Sequence, residues 1–207
     1  MNTFYSLYVK RILDISLALL GLILLSPVLM AIALKLKASG PVFFKQTRIG
    51  RHFRPFTLYK FRSMNTKASY KAPPFTTDSD SRITPFGRIL RAYKLDELPQ
   101  LLNVLKGDLS FVGPRPLVEA HIKANKKAFR DILHIRPGIT DYASLNYIDE
   151  QSLLSQQTNP EVYYQEELMP KKIKLIKAYQ QDISFLTDIN LIFQTLKAIA
   201  RRSKPLN

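Results

Sequence analysis

The chain has 207 residues, no cysteine and a formal net charge of +15 at pH 7, which is the size of one domain with a short appendage. Without cysteine there can be no disulfide, Cys-based metal site or Cys nucleophile, and three scattered histidines argue against a zinc enzyme. The basic charge predicts an anionic partner: nucleic acid, an anionic membrane or a phosphorylated substrate. Residues 1–94 hold 16 Lys or Arg and only three acids, so the anion is expected to meet this half.

The first predicted element is an apolar segment from Ile12 to Leu36, in which Asp14 and Lys35 are the only charged residues. A helix of about 25 residues is roughly 37 Å long, which is enough to cross a bilayer. Three interpretations are open for it: a spanning anchor, a cleaved signal peptide, or a re-entrant helix that leaves the membrane on the side it entered.

A proline within this segment and the charges around it favour the re-entrant helix. Pro27 has no amide hydrogen and should break the helix, while the Ser26 hydroxyl can satisfy a freed backbone group. The positive-inside rule places basic flanks in the cytoplasm, and both flanks are basic: Lys10 and Arg11 before the segment, Lys35 and Lys37 at its end. We therefore expect a helix–break–helix anchor over residues 1–39 and a separate domain over residues 40–207.

Residues 40–64 interleave aromatic and basic side chains. Val42–Lys45 and Phe56–Phe61 are predicted strands of a hairpin that turns near Gly50. Such a composition suits single-stranded nucleic acid, but it suits a membrane interface equally well. The neighbouring apolar segment favours the interface.

The remaining chain is predicted to be mostly helical after a polar loop over residues 65–84. Four leucines at helical spacing end in a stop at Gly107, and further helices are predicted over 117–133, Glu161–Gln180 and Ile183–Arg202. The lysines of the second of these either lie on anionic lipid or are solvated: Lys171, Lys172, Lys174 and Lys177. The expected fold is α+β and mostly helical, with a re-entrant membrane helix followed by a small interfacial domain of one short β-hairpin and amphipathic helices.

Asp96 and Glu97 are adjacent acids in a strongly basic part of the chain. Nearby cations keep carboxylates ionised, and an ionised carboxylate can attack phosphorus to form an acyl phosphate. Paired carboxylates also suit Mg²⁺, and Arg115, between two prolines, could hold a phosphate with two hydrogen bonds. The alternative interpretation is structural: the acids favour the start of a helix, and Arg115 forms a salt bridge.

Several motifs, in order, carry a resemblance to a known family: KRILDISLALLGLILLSPVLM, GPVFFKQTRIG, YKFRSM, TPFGRILRAYKLDELPQLLNVLKGDLSFVGPRP and RPGIT. They resemble the small monotopic phosphoglycosyl transferases, bacterial sugar transferases that initiate glycoconjugate assembly. The resemblance implies transfer of a sugar-1-phosphate from a UDP-sugar to polyprenyl (undecaprenyl) phosphate, which yields a polyprenyl diphosphate sugar and UMP.

The resemblance also implies a setting for this reaction. It implies Mg²⁺ as cofactor and a minimal catalytic form in which residues 40–207 are the catalytic domain. This domain is expected on the cytoplasmic face of the bacterial inner membrane, in contact with lipid. A homo-oligomer is compatible with the resemblance, and no nucleic acid is expected as a partner.

The resemblance further implies roles for individual residues. Asp96 is the expected nucleophile that carries a covalent phospho-sugar, Glu97 is its partner, and both are expected Mg²⁺ ligands. The expected phosphate- and substrate-binding residues are Arg91, Arg115, Arg88, Lys60 and Arg62, and the expected membrane-anchor residues are Arg11, Asp14, Ser26 and Pro27. The chain departs from many relatives at residues 141–145, DYASL, a region that could help to select the sugar.

A different class of function remains open beside the transferase. A membrane-anchored basic protein could bind nucleic acid or anionic lipid without catalysis, since the net charge alone would support it. That interpretation leaves the acids at Asp96 and Glu97, set among arginines, without an explanation.

Overall fold

A computed structural model describes residues 4–65 and 80–202 of the chain. The described residues are mostly helical and contain two small two-stranded sheets, which confirms the predicted α+β class. The loop predicted over 65–84 falls mainly on residues 66–79, which lie outside the described residues.

The elements follow one another closely along the chain. After a π-helical stretch at Tyr5–Val9 come α1 (Lys10–Lys37), β1 (Phe43–Ile49), β2 (Pro55–Phe61), α2 (Pro85–Ala92), α3 (Gln100–Lys106) and β3 (Ser110–Val112). The second half contains α4 (Glu119–Ala124), α5 (Lys126–Ile132), β4 (Gly138–Thr140), α6 (Tyr142–Asn146), α7 (Glu150–Ser155), α8 (Pro160–Tyr163), α9 (Met169–Asp182) and α10 (Phe185–Arg202), with a π-helical stretch at Tyr164–Leu168 between α8 and α9.

Helix α1 runs through Ser26 and Pro27 as one helical element, so the residues predicted to form a break lie inside the helix. Pro27 cannot donate a hydrogen bond to the carbonyl four residues before it, that of Ile23. The Ser26 hydroxyl donates to this same carbonyl oxygen at 2.8 Å. The freed acceptor is therefore satisfied inside the helix, and 28 residues remain in one helical element about 42 Å long.

One face of α1 packs on the rest of the chain at both of its ends. Near the start, Arg11 donates to the carbonyl oxygens of Val104 and Leu105 at 2.6 and 2.9 Å. Near the end, Ile32 and Leu36 lie in a buried apolar cluster with residues of β2 and α2. The helix is long and apolar enough to cross a bilayer, and its opposite face exposes large apolar side chains, among them Ile12, Ile23 and Leu34.

Strands β1 and β2 form the predicted antiparallel hairpin, with Phe43 opposite Phe61 and Ile49 opposite Pro55. A buried asparagine, Asn103 on α3, ties this hairpin to the helix behind it. Its side chain accepts a hydrogen bond from the amide of Tyr59 and donates to the carbonyl of Thr57. Helix α3 ends at Gly107, which has φ +89°, so the predicted stop is confirmed.

Strands β3 and β4 form a short parallel pair that the sequence did not predict. Their backbones approach closely just beyond β3. A Cβ on Gly113 would lie 2.4 Å from the carbonyl oxygen of Arg136, and one on Gly138 would lie 2.2 Å from the amide nitrogen of Gly113. Only glycine fits at both positions, and this contact fixes the start of the Pro114–Pro116 segment.

The helix predicted over 117–133 needs correction, and the structure gives partners to two of the α9 lysines. The helix predicted over 117–133 is two short helices, because Asn125 between them has φ −124° and ψ 30°, outside the helical range. In α9, Lys172 is buried and pairs with Glu150 at 2.7 Å, and Lys171 pairs with Glu167 at 3.1 Å. These two lysines therefore have protein partners, and Lys171 is solvated, as the second alternative expected.

A buried polar cluster around Asp188 joins both ends of the described chain. Its carboxylate is 1% exposed and accepts hydrogen bonds from the hydroxyls of Tyr5 and Tyr179 at 2.6 and 2.8 Å. Lys10 forms an ion pair with the same carboxylate. The cluster thus fastens α10 and α9 to the beginning of α1.

Candidate active site

The two adjacent acids lie in a single 3₁₀ turn, Leu95–Glu97, directly before α3. The preceding residue, Lys94, has a left-handed backbone conformation with φ 55°. Such a conformation costs of order 1 kcal/mol for a non-glycine residue and persists where the surrounding structure enforces it, often at functional sites. The turn presents both carboxyl groups on the side that faces the hairpin and the Pro114–Pro116 segment.

Glu97 is held by two cations. Lys60 Nζ and Arg115 Nη2 approach the same oxygen, Glu97 Oε1, at 2.6 and 2.7 Å. Burial raises the pKa of Glu97, but the charges of Arg115 and Lys60 outweigh it and hold the pKa well below its ordinary value. Glu97 is therefore a stable anion that fixes two cationic side chains.

Asp96 has the opposite character. It is 6% exposed, and its Oδ1 atom is buried without a hydrogen-bond partner among the described residues. Burial and then the negative charge of Glu97 raise its pKa, against the lowering effect of Lys60, Arg91 and Lys94. Two neighbouring carboxyl groups whose environments move their pKa values apart are a common signature of divided chemical roles.

Arg91 reaches this site because α2 is fixed to the backbone of Ser63. The amide of Thr84 donates to the Ser63 carbonyl at 3.1 Å, and a Cβ on Gly87 would lie 1.9 Å from that oxygen. Arg91, one turn further along the helix, donates from Nε to Ser63 Oγ at 2.8 Å. Its Nη1 atom is buried and has no partner in the described structure, so part of the guanidinium is still able to bind an anion.

The carboxyl pair lies in a cavity of about 1430 Å³ whose walls differ in chemistry. One wall is apolar and comes from two helices: Leu17, Leu20, Leu24 and Leu25 of α1, and Ile192, Leu196 and Ile199 of α10. The centre, around Asp96, is strongly cationic. The third wall comes from α6, α7 and the residues between them, and it mixes polar side chains with the apolar Leu145, Ile148 and Leu154.

All seven residues predicted to act in catalysis or phosphate binding line this one cavity: Lys60, Arg62, Arg88, Arg91, Asp96, Glu97 and Arg115. Arg62 differs from the others, because its guanidinium donates to the carbonyl oxygens of Pro41 and Leu36 and to Ser39 Oγ. It holds the end of α1 against the hairpin.

The four predicted anchor residues lie on α1, apart from the cavity. Arg11 and Asp14 attach its first turns to the domain, since Asp14 Oδ1 accepts from Ser110 Oγ at 3.0 Å and from the amide of Phe111 at 2.9 Å. Ser26 and Pro27 lie on its exposed side.

Sequence reasoning missed Arg48, which also lines the cavity. Its Nη2 atom donates to Gln46 Oε1 at 2.6 Å, and burial followed by the charge of Arg115 lowers its pKa to about 10. The sequence does contain a signal for this residue. Gln46 and Arg48 are two residues apart in β1, and side chains at this spacing lie on the same face of a strand.

The oxygen ligands at the site suit a metal ion only in part. No group of three or more candidate metal-binding side chains occurs in residues 4–65 and 80–202. Glu97 Oε1 is already bonded to two cations, whereas the Asp96 carboxyl has an oxygen without a partner. Mg²⁺ commonly takes one or two protein carboxylates and completes its shell with substrate phosphates and water. Asp96 therefore fits a Mg²⁺ site that it shares with substrate phosphates. Asp96 and Glu97 together do not fit a site formed by protein ligands alone.

Comparisons with known proteins assign the chain to a family. A family model described as "Bacterial sugar transferase" matches residues 5–202. The chain is 38% identical over 197 residues to "UDP-glucose:undecaprenyl-phosphate glucose-1-phosphate transferase" of Escherichia coli (strain K12), which covers 90% of this chain and 39% of that protein.

Two further relatives differ in length. The "Uncharacterized sugar transferase EpsL" of Bacillus subtilis (strain 168) is 37% identical over 194 residues, 92% of this chain and 86% of that protein. The "UDP-N-acetylgalactosamine-undecaprenyl-phosphate N-acetylgalactosaminephosphotransferase" of Aeromonas hydrophila is 38% identical over 143 residues, 67% of this chain and 34% of that protein. The chain therefore spans less than half of two of these relatives and most of the third. On the extent of the family match, the chain belongs to the bacterial sugar transferase family.

Proposed function

We propose that the chain transfers a sugar-1-phosphate from a UDP-sugar to undecaprenyl phosphate, releasing UMP, as the first membrane step of glycoconjugate assembly. The observation that carries this proposal is the position of Asp96: a buried carboxyl with an unpartnered oxygen, among cations, in a cavity with one apolar wall. The names of the Escherichia coli and Aeromonas relatives supply the substrate classes.

In the first proposed step, an Asp96 carboxylate oxygen attacks the phosphorus that carries the sugar. The bond from this phosphorus to the UMP oxygen breaks, and UMP leaves with the electron pair. Lys60, Arg91 and Arg115 lie where they can neutralise the phosphoryl oxygens, which would otherwise repel the carboxylate. Because Glu97 holds Lys60 and Arg115, its part in this step is to position those cations.

In the second proposed step, a phosphate oxygen of the lipid attacks the same phosphorus. The acyl phosphate bond breaks, Asp96 is released as a carboxylate, and the polyprenyl diphosphate sugar forms. One nucleophile that serves two substrates in turn predicts ping-pong kinetics. The apolar wall of α1 and α10 can accommodate the prenyl chain while its phosphate lies at the cationic centre.

Mg²⁺ belongs to this proposal as a shared ion. Asp96, together with the phosphate oxygens of the donor, would hold it, and when bound it would supply positive charge to the phosphoryl group.

We also propose that the chain is monotopic, on the cytoplasmic face of the bacterial inner membrane. A helix that spans the bilayer loses contact with its domain after a few turns, whereas α1 contacts the domain near both of its ends. Both of its flanks are basic, which favours leaving both on the cytoplasmic side. Association with a second copy of the chain stays a prediction.

The proposal is tested by UMP release from a panel of UDP-sugars, with undecaprenyl phosphate and Mg²⁺ in detergent. The wild type is expected to release UMP with at least one donor, and Asp96→Asn to lose at least about a thousandfold in rate, because an amide cannot serve as the nucleophile. Asp131→Asn is the matched control, since Asp131 is exposed on α5.

The outcome that contradicts the proposal is equally defined. If folded, membrane-bound wild type releases no UMP from any donor, or if Asp96→Asn retains the wild-type rate, the chain is not this transferase. Binding to anionic lipid with a steep salt dependence would then support the non-catalytic alternative.

A further inference from the structure

The third wall of the cavity differs from the rest in the groups that it offers. Around Asp96 the polar lining is almost entirely Lys and Arg, which suits phosphate. On the third wall, Tyr147, Glu150 and Gln151 line the space with a phenol ring, a carboxylate and an amide, and Lys172 of α9 also lines the cavity. The Gln151 side chain makes no hydrogen bond to any residue that the structure describes, so its amide is available to a ligand.

An ion pair fixes Glu150 at this wall. Its Oε2 atom pairs with Lys172 Nζ at 2.7 Å, and Lys172 is only 5% exposed. A buried ion pair of this kind contributes little net stability, because desolvation of the two charges opposes their attraction. It does hold the Glu150 carboxylate in one orientation, with lone pairs left to accept further hydrogen bonds.

This wall begins close to the reacting groups. Arg115, which donates to Glu97 at 2.7 Å, lies within electrostatic reach of Glu150. A group attached directly to a phosphate at Asp96 can therefore reach this wall. Glu150 and Lys172 both line the cavity and form an ion pair, so this wall is close to neutral and suits an uncharged group that is rich in hydroxyls.

We infer that Tyr147, Glu150 and Gln151 form the subsite for the sugar ring of the donor and contribute to the choice of sugar. Carboxylate and amide groups can each make two hydrogen bonds to neighbouring sugar hydroxyls, and the tyrosine ring supplies an apolar surface beside them. The inference rests on the proposed function, because it assigns one part of the donor to one wall of the same cavity.

The test compares donors that differ at one hydroxyl, such as UDP-glucose and UDP-galactose. Gln151→Ala is expected to lower kcat/KM for the preferred donor by about fivefold or more and to change the ratio between the two donors, because one directional hydrogen bond is lost. Inhibition by UDP, which has no sugar on its second phosphate, should remain at the wild-type level. Gln156→Ala is the matched control, since Gln156 follows α7, is exposed and lies outside the cavity.

Three results would overturn the inference. If Gln151→Ala leaves the donor ratio unchanged, or if Glu150→Gln and Gln151→Ala both weaken UDP inhibition as much as they weaken donor use, the wall does not bind the sugar; the second result would assign it to the nucleoside. A wild type that is silent with every donor instead contradicts the proposed function itself, and the sugar subsite with it.

Discussion

At the scale of single residues, the site depends on two adjacent carboxyl groups that share neighbours but differ in solvation and partners. Glu97 has two cations on one oxygen, and its pKa is lowered. Asp96 has a buried oxygen without a partner among the described residues, and its pKa is raised. The first carboxyl therefore organises charge, and the second is available to form a bond.

This difference predicts how the rate depends on pH. Asp96 must be ionised to attack, so the rate should fall as the pH decreases through its raised pKa, above the ordinary value of about 3.9. Glu97→Gln removes the neighbouring negative charge and frees Lys60 and Arg115 to stabilise the Asp96 anion. Both effects lower the pKa of Asp96, so the acid limb of the residual UMP-release rate should move to lower pH.

The measurement is kcat/KM for the donor between about pH 4 and pH 8, interpreted as an apparent pKa of the pair. Glu119→Gln, at an exposed glutamate of α4, is the control and should keep the wild-type profile. An acid limb that stays in place or moves to higher pH in Glu97→Gln would show that Asp96 is not the titrating group.

The sequence was informative about this site where its parts are close along the chain. Asp96, Glu97, Arg91 and Arg88 lie within ten residues, Arg115 is distinguished by its two flanking prolines, and a motif resemblance added Lys60. The pairing of Lys172 with Glu150 joins two helices 22 residues apart, and nothing in either helix signals the other. The bonds of Arg62 to the end of α1 were also not predicted. In the sequence, an arginine that holds a helix end cannot be distinguished from one that binds phosphate.

At the scale of elements, α1 shows that a helix breaker can be accommodated by its neighbour. The Ser26 hydroxyl donates to the Ile23 carbonyl that Pro27 leaves without its usual partner. In an apolar environment an unsatisfied carbonyl is costly, so the Ser-Pro pair acts as one unit.

A double-mutant cycle tests this coupling. Ser26→Ala should destabilise the chain by about 1 kcal/mol, because it leaves the Ile23 carbonyl unpaired. The same change in a Pro27→Ala background should cost much less, since the substituted residue has a backbone amide that donates to this carbonyl. Thermal unfolding in a fixed detergent measures both. Equal costs of Ser26→Ala in the two backgrounds would show that the hydroxyl does not serve this carbonyl.

Local patterns predicted some elements and not others. The leucine spacing and Gly107 gave α3, and alternating residues around Gly50 gave the hairpin. The parallel pair of β3 and β4 has only three residues in each strand and depends on contact between Gly113 and Gly138, which are 25 residues apart in sequence. The helix predicted over 117–133 is interrupted at Asn125, where the backbone leaves the helical range. Asparagine is only a mild helix breaker, so its presence did not predict this interruption.

At the scale of the whole molecule, α1 binds the rest of the chain through contacts distributed along its length. The Asp188 cluster and Arg11 hold its first turns, and the cluster of Ile32 and Leu36 holds its last. The proposed catalytic cavity lies against this helix, so the position of the helix in the membrane would determine where the proposed active site meets lipid.

The cysteine-free sequence allows a direct test of the proposed topology. Single cysteines at Tyr8 and Ala38, exposed near the two ends of α1, should both react with a membrane-impermeant maleimide in inside-out vesicles and stay protected in intact cells. Ala124→Cys, exposed on α4, marks the side of the domain. Labelling of Tyr8→Cys and Ala38→Cys from opposite sides would establish a spanning helix instead.

The apolar wall of the cavity has a consequence for what happens between the two proposed half-reactions. In the ping-pong scheme, the phospho-sugar on Asp96 is discharged by a lipid phosphate, and the apolar wall gives this lipid its place beside the carboxyl group. Each molecule would then consume a single donor and pause. The rate at which the enzyme consumes nucleotide sugar would then be limited by the rate at which carrier lipid phosphate returns to the membrane surface.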